Sequence, residues 1–130
     1  VYGPDPGSEN FLASVLREAA RTGGVLIRTS PDSAKDYVSL RDVVELLPQI
    51  AAHGDYTVYN LASGKSLSNR ELAAMLRQEG VDADFAPGAP EWTFPEMDIT
   101  RLARDFRAPE RSLPEDLPGL LQQYRRMYAQ

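Results

Sequence analysis

The sequence has no cysteine, which excludes disulfide bonds, thiolate nucleophiles and cysteine-ligated metals. It has a single histidine, His53, so a site built from several histidines is excluded as well. His53 stands beside Gly54, a candidate helix C-cap, with no acid–base partner nearby in sequence, which points to a structural or solvent-facing place. The apolar runs are far too short to span a bilayer and no signal peptide is recognisable, so no membrane is expected and the expected location is cytoplasmic. Positive charge is outnumbered: 14 Lys and Arg stand against 19 Asp and Glu, a net charge of -5. Nucleic-acid binding would need a basic face and is not expected. That balance still leaves room for one phosphate at a local cationic spot. The glycines nowhere form G-x-G-x-x-G or G-x-x-G-x-x-G. None of the six tyrosines is followed by a lysine four residues on. There is no internal repeat, low-complexity run or heptad array.

At 130 residues the chain fits one domain, residues 1–130, able to bury roughly two-thirds of its unfolded surface. Its most informative stretch is Lys35-Asp36-Tyr37-Val38-Ser39-Leu40-Arg41-Asp42-Val43-Val44. Tyr37, Val38 and Leu40 favour a strand. Ser39 can cap a helix, Asp42 suits an acidic first turn, and Val43, Val44, Leu46 and Leu47 recur at helical spacing. Pro48 inside that pattern predicts a kink or an early end, with the chain settling near His53 and Gly54.

Taken in order, Tyr2-Gly3-Pro4-Asp5-Pro6-Gly7 is turn chemistry. Ser8 is the expected cap of a helix over 9–22, with Phe11, Leu12, Val15, Leu16 and Ala19 on one face and Gly23-Gly24 ending it. Residues 25–29 form a short strand and 30–34 a polar loop. Residues 56–62, Tyr-Thr-Val-Tyr-Asn-Leu-Ala, have the strongest strand composition in the chain. Ser68 and Glu71 form a capping box for a helix running to about Glu79, closed by Gly80. Residues 83–86 form a short edge strand. Trp92 is expected in the core or at an interface. Asp98 caps a short helix to about Phe106. For the last helix, Ser112 and Glu115 offer a capping box that would put Pro118 awkwardly inside it, whereas a start at Asp116 puts Pro118 in the first turn and avoids the conflict; Leu117, Leu120, Leu121, Tyr124 and Tyr128 are expected to face inward.

Four segments in this order resemble one family. Val1-Tyr2-Gly3-Pro4 is similar to an "N-x-Y-G-P" turn, and Lys35-Asp36-Tyr37-Val38-Ser39 to "R-D-[FY]-[IV]-H". Tyr59-Asn60-Leu61-Ala62-Ser63-Gly64 is similar to "Y-N-[IL]-G-[ST]-G", and Asp98-Ile99-Thr100-Arg101 to "D-x-[ST]-[KR]". Together they resemble the carboxyl-terminal, substrate-binding half of extended short-chain dehydrogenase/reductases, the NAD-dependent epimerase/dehydratase family. The chain thus reads as part of something longer. The resemblance implies an α/β fold with about five helices and several short strands, the Rossmann half missing, and some strands needing partners from that half. It implies a sugar or nucleotide-sugar substrate and NAD or NADP in the complete enzyme. The dinucleotide loop, the catalytic tyrosine and its lysine all belong to the missing half, so the chain alone is expected to bind no cofactor and to be inactive. A homo-oligomer is expected.

The implied substrate-binding residues are Asn10, Phe11, Arg28, Lys35 and Tyr37, with Tyr2 and Pro4 beside the cofactor. Read on their own, Asn10 is a first-turn polar residue, Phe11 is core and Lys35 a solvated loop lysine. Lys35 replaces the family's phosphate-binding arginine and loses its bidentate fork, which Arg28 offers from the preceding strand. Asp36 is expected to order the strand and loop rather than to do chemistry. The family's second phosphate-binding arginine has no counterpart, since no Arg or Lys lies between Gly80 and Thr100. The other reading of the chain is a non-catalytic small α/β binding module.

Overall fold

The computed structural model describes residues 1–5 and 7–128; Pro6, in the turn-forming run near the amino terminus, lies outside the described residues. Five helices and four short strands follow one another: α1 (Phe11–Thr22), β1 (Gly24–Ile27), β2 (Ala34–Asp36), α2 (Leu40–His53), β3 (Ser66–Ser68), α3 (Asn69–Gln78), β4 (Asp82–Phe85), α4 (Thr100–Asp105) and α5 (Leu113–Tyr128). β1 pairs with β4 in parallel, Gly24 opposite Asp82 and Ile27 opposite Phe85. β2 pairs with β3 antiparallel, Lys35 opposite Leu67. A single parallel bridge joins Tyr2 to Ser39. None of the helices among the described residues is long and apolar enough to cross a membrane.

One apolar cluster joins α1, β1, α3, β4 and α5. Its centre is Leu16, Ile27, Leu72, Leu76, Leu121 and Tyr124, all almost fully buried. β1 alternates as a half-covered strand must: Val25 and Ile27 point in while Leu26 points out. Tyr124 keeps its hydroxyl satisfied by donating to the Asp5 carbonyl at 2.9 Å. Gly23, with φ of 80°, takes the left-handed conformation that lets α1 turn directly into β1.

The structure corrects several sequence expectations. α1 is capped by Asn10, not Ser8: the Asn10 Oδ1 accepts from the Ala13 N–H at 2.8 Å, while the Ser8 hydroxyl accepts from the Asn10 N–H at 3.3 Å. The early end expected as one outcome at Pro48 does not occur: α2 runs through it and ends at His53, capped by Gly54, where the chain was expected to settle. The carbonyl that loses its partner belongs to Val44, an exposed residue. α5 begins at Leu113 rather than Asp116, and Pro118, also exposed, sits inside it. Residues 56–62 form no strand. With no strand edge beside them, side chains do the fastening: the Tyr59 hydroxyl donates to Asp105 at 2.7 Å, and the Asn60 amide donates to the Asp98 carbonyl at 2.9 Å. Trp92 is not in the core but 59% exposed.

Candidate substrate-facing site

Lys35 lies on β2, its backbone held by the ladder to β3. Its Nζ sits 4.4 Å from the centroid of the Phe11 ring. The side chain is partly buried, and that burial pulls the ammonium below the usual lysine pKa. The next residue, Asp36, accepts from the N–H groups of Ser63 and Gly64, both at 2.8 Å. Its carboxylate is spent on ordering the turn before β3, as expected. Tyr37 follows, only 9% exposed, and its hydroxyl has no hydrogen-bond partner among the described residues. Burial pushes that hydroxyl well above the usual tyrosine value. Arg28 stands exposed just past the end of β1.

The loop between β1 and β2 is held from outside. Asn69, the first residue of α3, is 1% exposed; its side-chain amide donates to the Thr29 hydroxyl at 2.7 Å and to the Ser30 carbonyl at 3.1 Å. Its backbone N–H donates to the Ser33 carbonyl at 2.8 Å, and the buried Ser33 hydroxyl accepts from the Trp92 N–H at 2.9 Å. Ser68 caps α3 as expected, its hydroxyl accepting from the Glu71 N–H at 3.1 Å, and this places Asn69 for the task.

Tyr2 is buried and its hydroxyl donates to Asp116 at 2.6 Å, tying the amino terminus to α5. Burial first, and the Asp116 carboxylate second, raise the hydroxyl pKa beyond the usual tyrosine range. Asp116 also pairs with Arg111. Tyr2 and Pro4 line a groove of about 540 Å³ floored by Leu40, Val44 and Leu120. Asn10 borders a smaller cavity of about 250 Å³. Tyr37 borders a third, of about 470 Å³, with Lys65, Glu71 and Arg111. The first two cavities share Tyr2, Gly3, Leu40 and Leu120, and Phe11, Arg28 and Lys35 line none of the three. Phe11 and Lys35 are joined by direct contact.

Asn69 is a functional-looking polar residue that sequence reasoning missed; Asp42 stands in the first turn of α2 as expected, but its role as a buried anchor was not foreseen. Asp42 is 1% exposed. It accepts from Arg107 Nη1 at 3.0 Å and from the backbone N–H groups of Glu110 at 3.1 Å and Arg111 at 2.9 Å. Burial alone would push its carboxyl up; the two N–H groups and the Arg107 guanidinium outweigh burial and hold it below the usual carboxylate range. No local signal marks either residue, because their partners lie far along the chain. No group of three or more His, Cys, Asp and Glu able to hold a metal occurs among the described residues.

No protein-family model matches this chain, and no curated protein does. Solved structures do match. UDP-glucuronic acid 4-epimerase from Bacillus cereus, in complex with UDP-4-deoxy-4-fluoro-glucuronic acid and NAD, is 15% identical with a TM-score of 0.80, over 98% of this chain and 43% of that one. The fold is that of part of an extended short-chain dehydrogenase/reductase. UDP-glucose 4-epimerase from Thermotoga maritima, with UDP-glucose, is 24% identical with a TM-score of 0.77, over 97% of this chain and 43% of that one. RMD from Pseudomonas aeruginosa, complexed with NADPH, is 21% identical with a TM-score of 0.77, over 95% of this chain and 44% of that one. The chain therefore spans less than half the length of these structures, and at such identities the likeness is one of fold.

Proposed function

We propose that this chain is the substrate-binding, carboxyl-terminal half of an NAD(P)-dependent enzyme that epimerises or dehydrates a nucleotide sugar. The observation that carries the reading is the fold shared over nearly the whole chain with epimerases of that kind, together with a lysine on β2 where the family motif has its arginine. In this reading Lys35 meets the substrate diphosphate as a point charge. Arg28 adds a second cation from the end of β1, Tyr37 offers its free hydroxyl, and Asn10 and Phe11 border the nucleotide.

The dinucleotide does not fit the residues present. A pyrophosphate cradle needs a glycine-rich turn from a strand into a helix N-terminus. Here the turn from β3 into α3 is closed by the Ser68 side chain, which accepts from the Glu71 N–H at 3.1 Å. NAD or NADP belongs, in this proposal, to an amino-terminal Rossmann half, and this chain alone binds no dinucleotide and turns over no sugar nucleotide. The missing arginine before Asp98 keeps a second reading in play, a non-catalytic binding module. An upstream G-x-x-G-x-x-G unit with Tyr-x-x-x-Lys would select the enzyme.

The direct test is Lys35→Ala in the complete protein. A charge-assisted contact worth about 1.5–3 kcal/mol predicts a KM raised roughly ten- to a hundredfold, with kcat changed less. Steady-state kinetics unchanged within twofold would overturn the assignment.

A further inference from the structure

We propose that Phe11, besides bordering the nucleotide, positions the ammonium of Lys35. The inference rests on the preceding assignment of Lys35 to a phosphate. A lysine that stands in for an arginine brings a charge on a long flexible stem, without the planar fork that orients a guanidinium. β2 fixes the Lys35 backbone opposite Leu67 but leaves the stem free to sweep. The Phe11 ring supplies the missing restraint. The Nζ stands 4.4 Å from the ring centroid, within the range where the negative face of an aromatic ring attracts a cation.

The ring is itself well held. Phe11 is the first residue of α1, directly after the Asn10 cap, and it packs against the main apolar cluster. No carboxylate forms an ion pair with Lys35 among the described residues. A ring face holds the ammonium in place without neutralising it, which leaves the charge for an incoming anion. A carboxylate in the same place would position the lysine equally well and cancel it. The partial burial that pulls the ammonium pKa down also shields it from water and strengthens its pull on a phosphate.

The chain has two lysines, Lys35 and Lys65, so reductive methylation with carbon-13 gives two side-chain probes and keeps both charges. In the ligand-free chain the Lys35 methyl protons should resonate upfield of those of Lys65, through the Phe11 ring current. Phe11→Tyr should keep that displacement and Phe11→Leu abolish it. Titration with inorganic pyrophosphate, read at the Lys35 methyls, should weaken roughly three- to tenfold in Phe11→Leu and stay within twofold in Phe11→Tyr. Native Lys35 methyls without an upfield displacement would overturn the proposal, as would Phe11→Leu binding pyrophosphate like the native chain. Lys35 methyls displaced by the ring yet indifferent to pyrophosphate would overturn the phosphate assignment itself.

Discussion

Two sides of the molecule are held together by different physics. On one, α1, β1, α3, β4 and α5 close around a single apolar cluster. On the other, α2, the 56–62 segment and α4 are fastened by polar clasps. α2 buries only Asp42 and Leu46, while Leu40, Val44 and Leu47 are 45%, 62% and 54% exposed. Arg107 bridges Asp42 and Glu45, and Tyr59 holds Asp105 while packing edge-on against Phe106 at 5.6 Å. Apolar burial is non-directional and indifferent to pH; clasps built on carboxylates are neither. The first side should therefore dominate stability and the second its response to pH, although Leu46 and Leu102 are fully buried on the second side too.

The largest effect that would break this contrast is in the apolar cluster. Leu16→Ala should destabilise the chain by about 2–5 kcal/mol, the range for removing a fully buried leucine from a core that cannot collapse. Val44→Ala, on the exposed face of α2, should stay within about 0.5 kcal/mol. Urea unfolding midpoints compare the two; equal losses would mean that the sides are not different in kind.

The clasp at Asp42 comes next. Asp42→Asn removes a charge that accepts three hydrogen bonds and should cost about 1.5–3 kcal/mol at neutral pH. Its carboxyl titrates lower in the folded than in the unfolded chain, so the unfolded state binds the proton more readily. The stability it contributes is complete above the unfolded carboxyl value, near pH 4, and is lost as pH falls through the lower folded value. The stability difference between native chain and variant, followed from neutral pH into acid, should shrink in that window. A difference constant with pH would remove the charge from the explanation.

Legibility in the sequence follows the same division. α1, α3 and the inward face of α5 were readable because helical spacing is a local signal, as is the Ser68 cap of α3; the α1 cap was misplaced from Asn10 to Ser8. Capping boxes and a 3.6-residue period need no knowledge of the rest of the chain. The strands were harder because a ladder needs a partner. Ser66-Leu67-Ser68 has poor strand composition yet forms β3, since β2 lies beside it. Residues 56–62 have the best composition and form none. Asp36 was legible from one motif, and its ordering role is what its two backbone hydrogen bonds display. Asn69 and Asp42 were not legible as anchors, because what defines each is a partner roughly forty to seventy residues away in sequence.

The smallest expected effect on stability sharpens the comparison most. Leu40, Val44 and Leu47 recur at i, i+4 and i+7 and give α2 an apolar stripe facing water. Val58, in the unladdered segment, is another exposed apolar side chain, at 62%. Apolar surface of this kind, together with backbone that has strand composition and no ladder, tends to recruit another chain. Replacing Val44 and Leu47 together by Gln keeps good helix formers in α2. In this chain alone the double variant should change folding stability by less than about 1 kcal/mol, since neither side chain is buried. Light scattering should nevertheless show the native chain associating with concentration and the variant moving toward monomer. If, as proposed, an amino-terminal half completes the fold and packs over α2, the same pair should cost more there, roughly 1.5–3 kcal/mol for each side chain that becomes buried. A native chain that stays monomeric at high concentration would break the link between the exposed stripe and association. Equal costs in the short and the complete chain would mean that nothing covers α2, and the contrast between the two sides would then belong to the folded molecule as a whole.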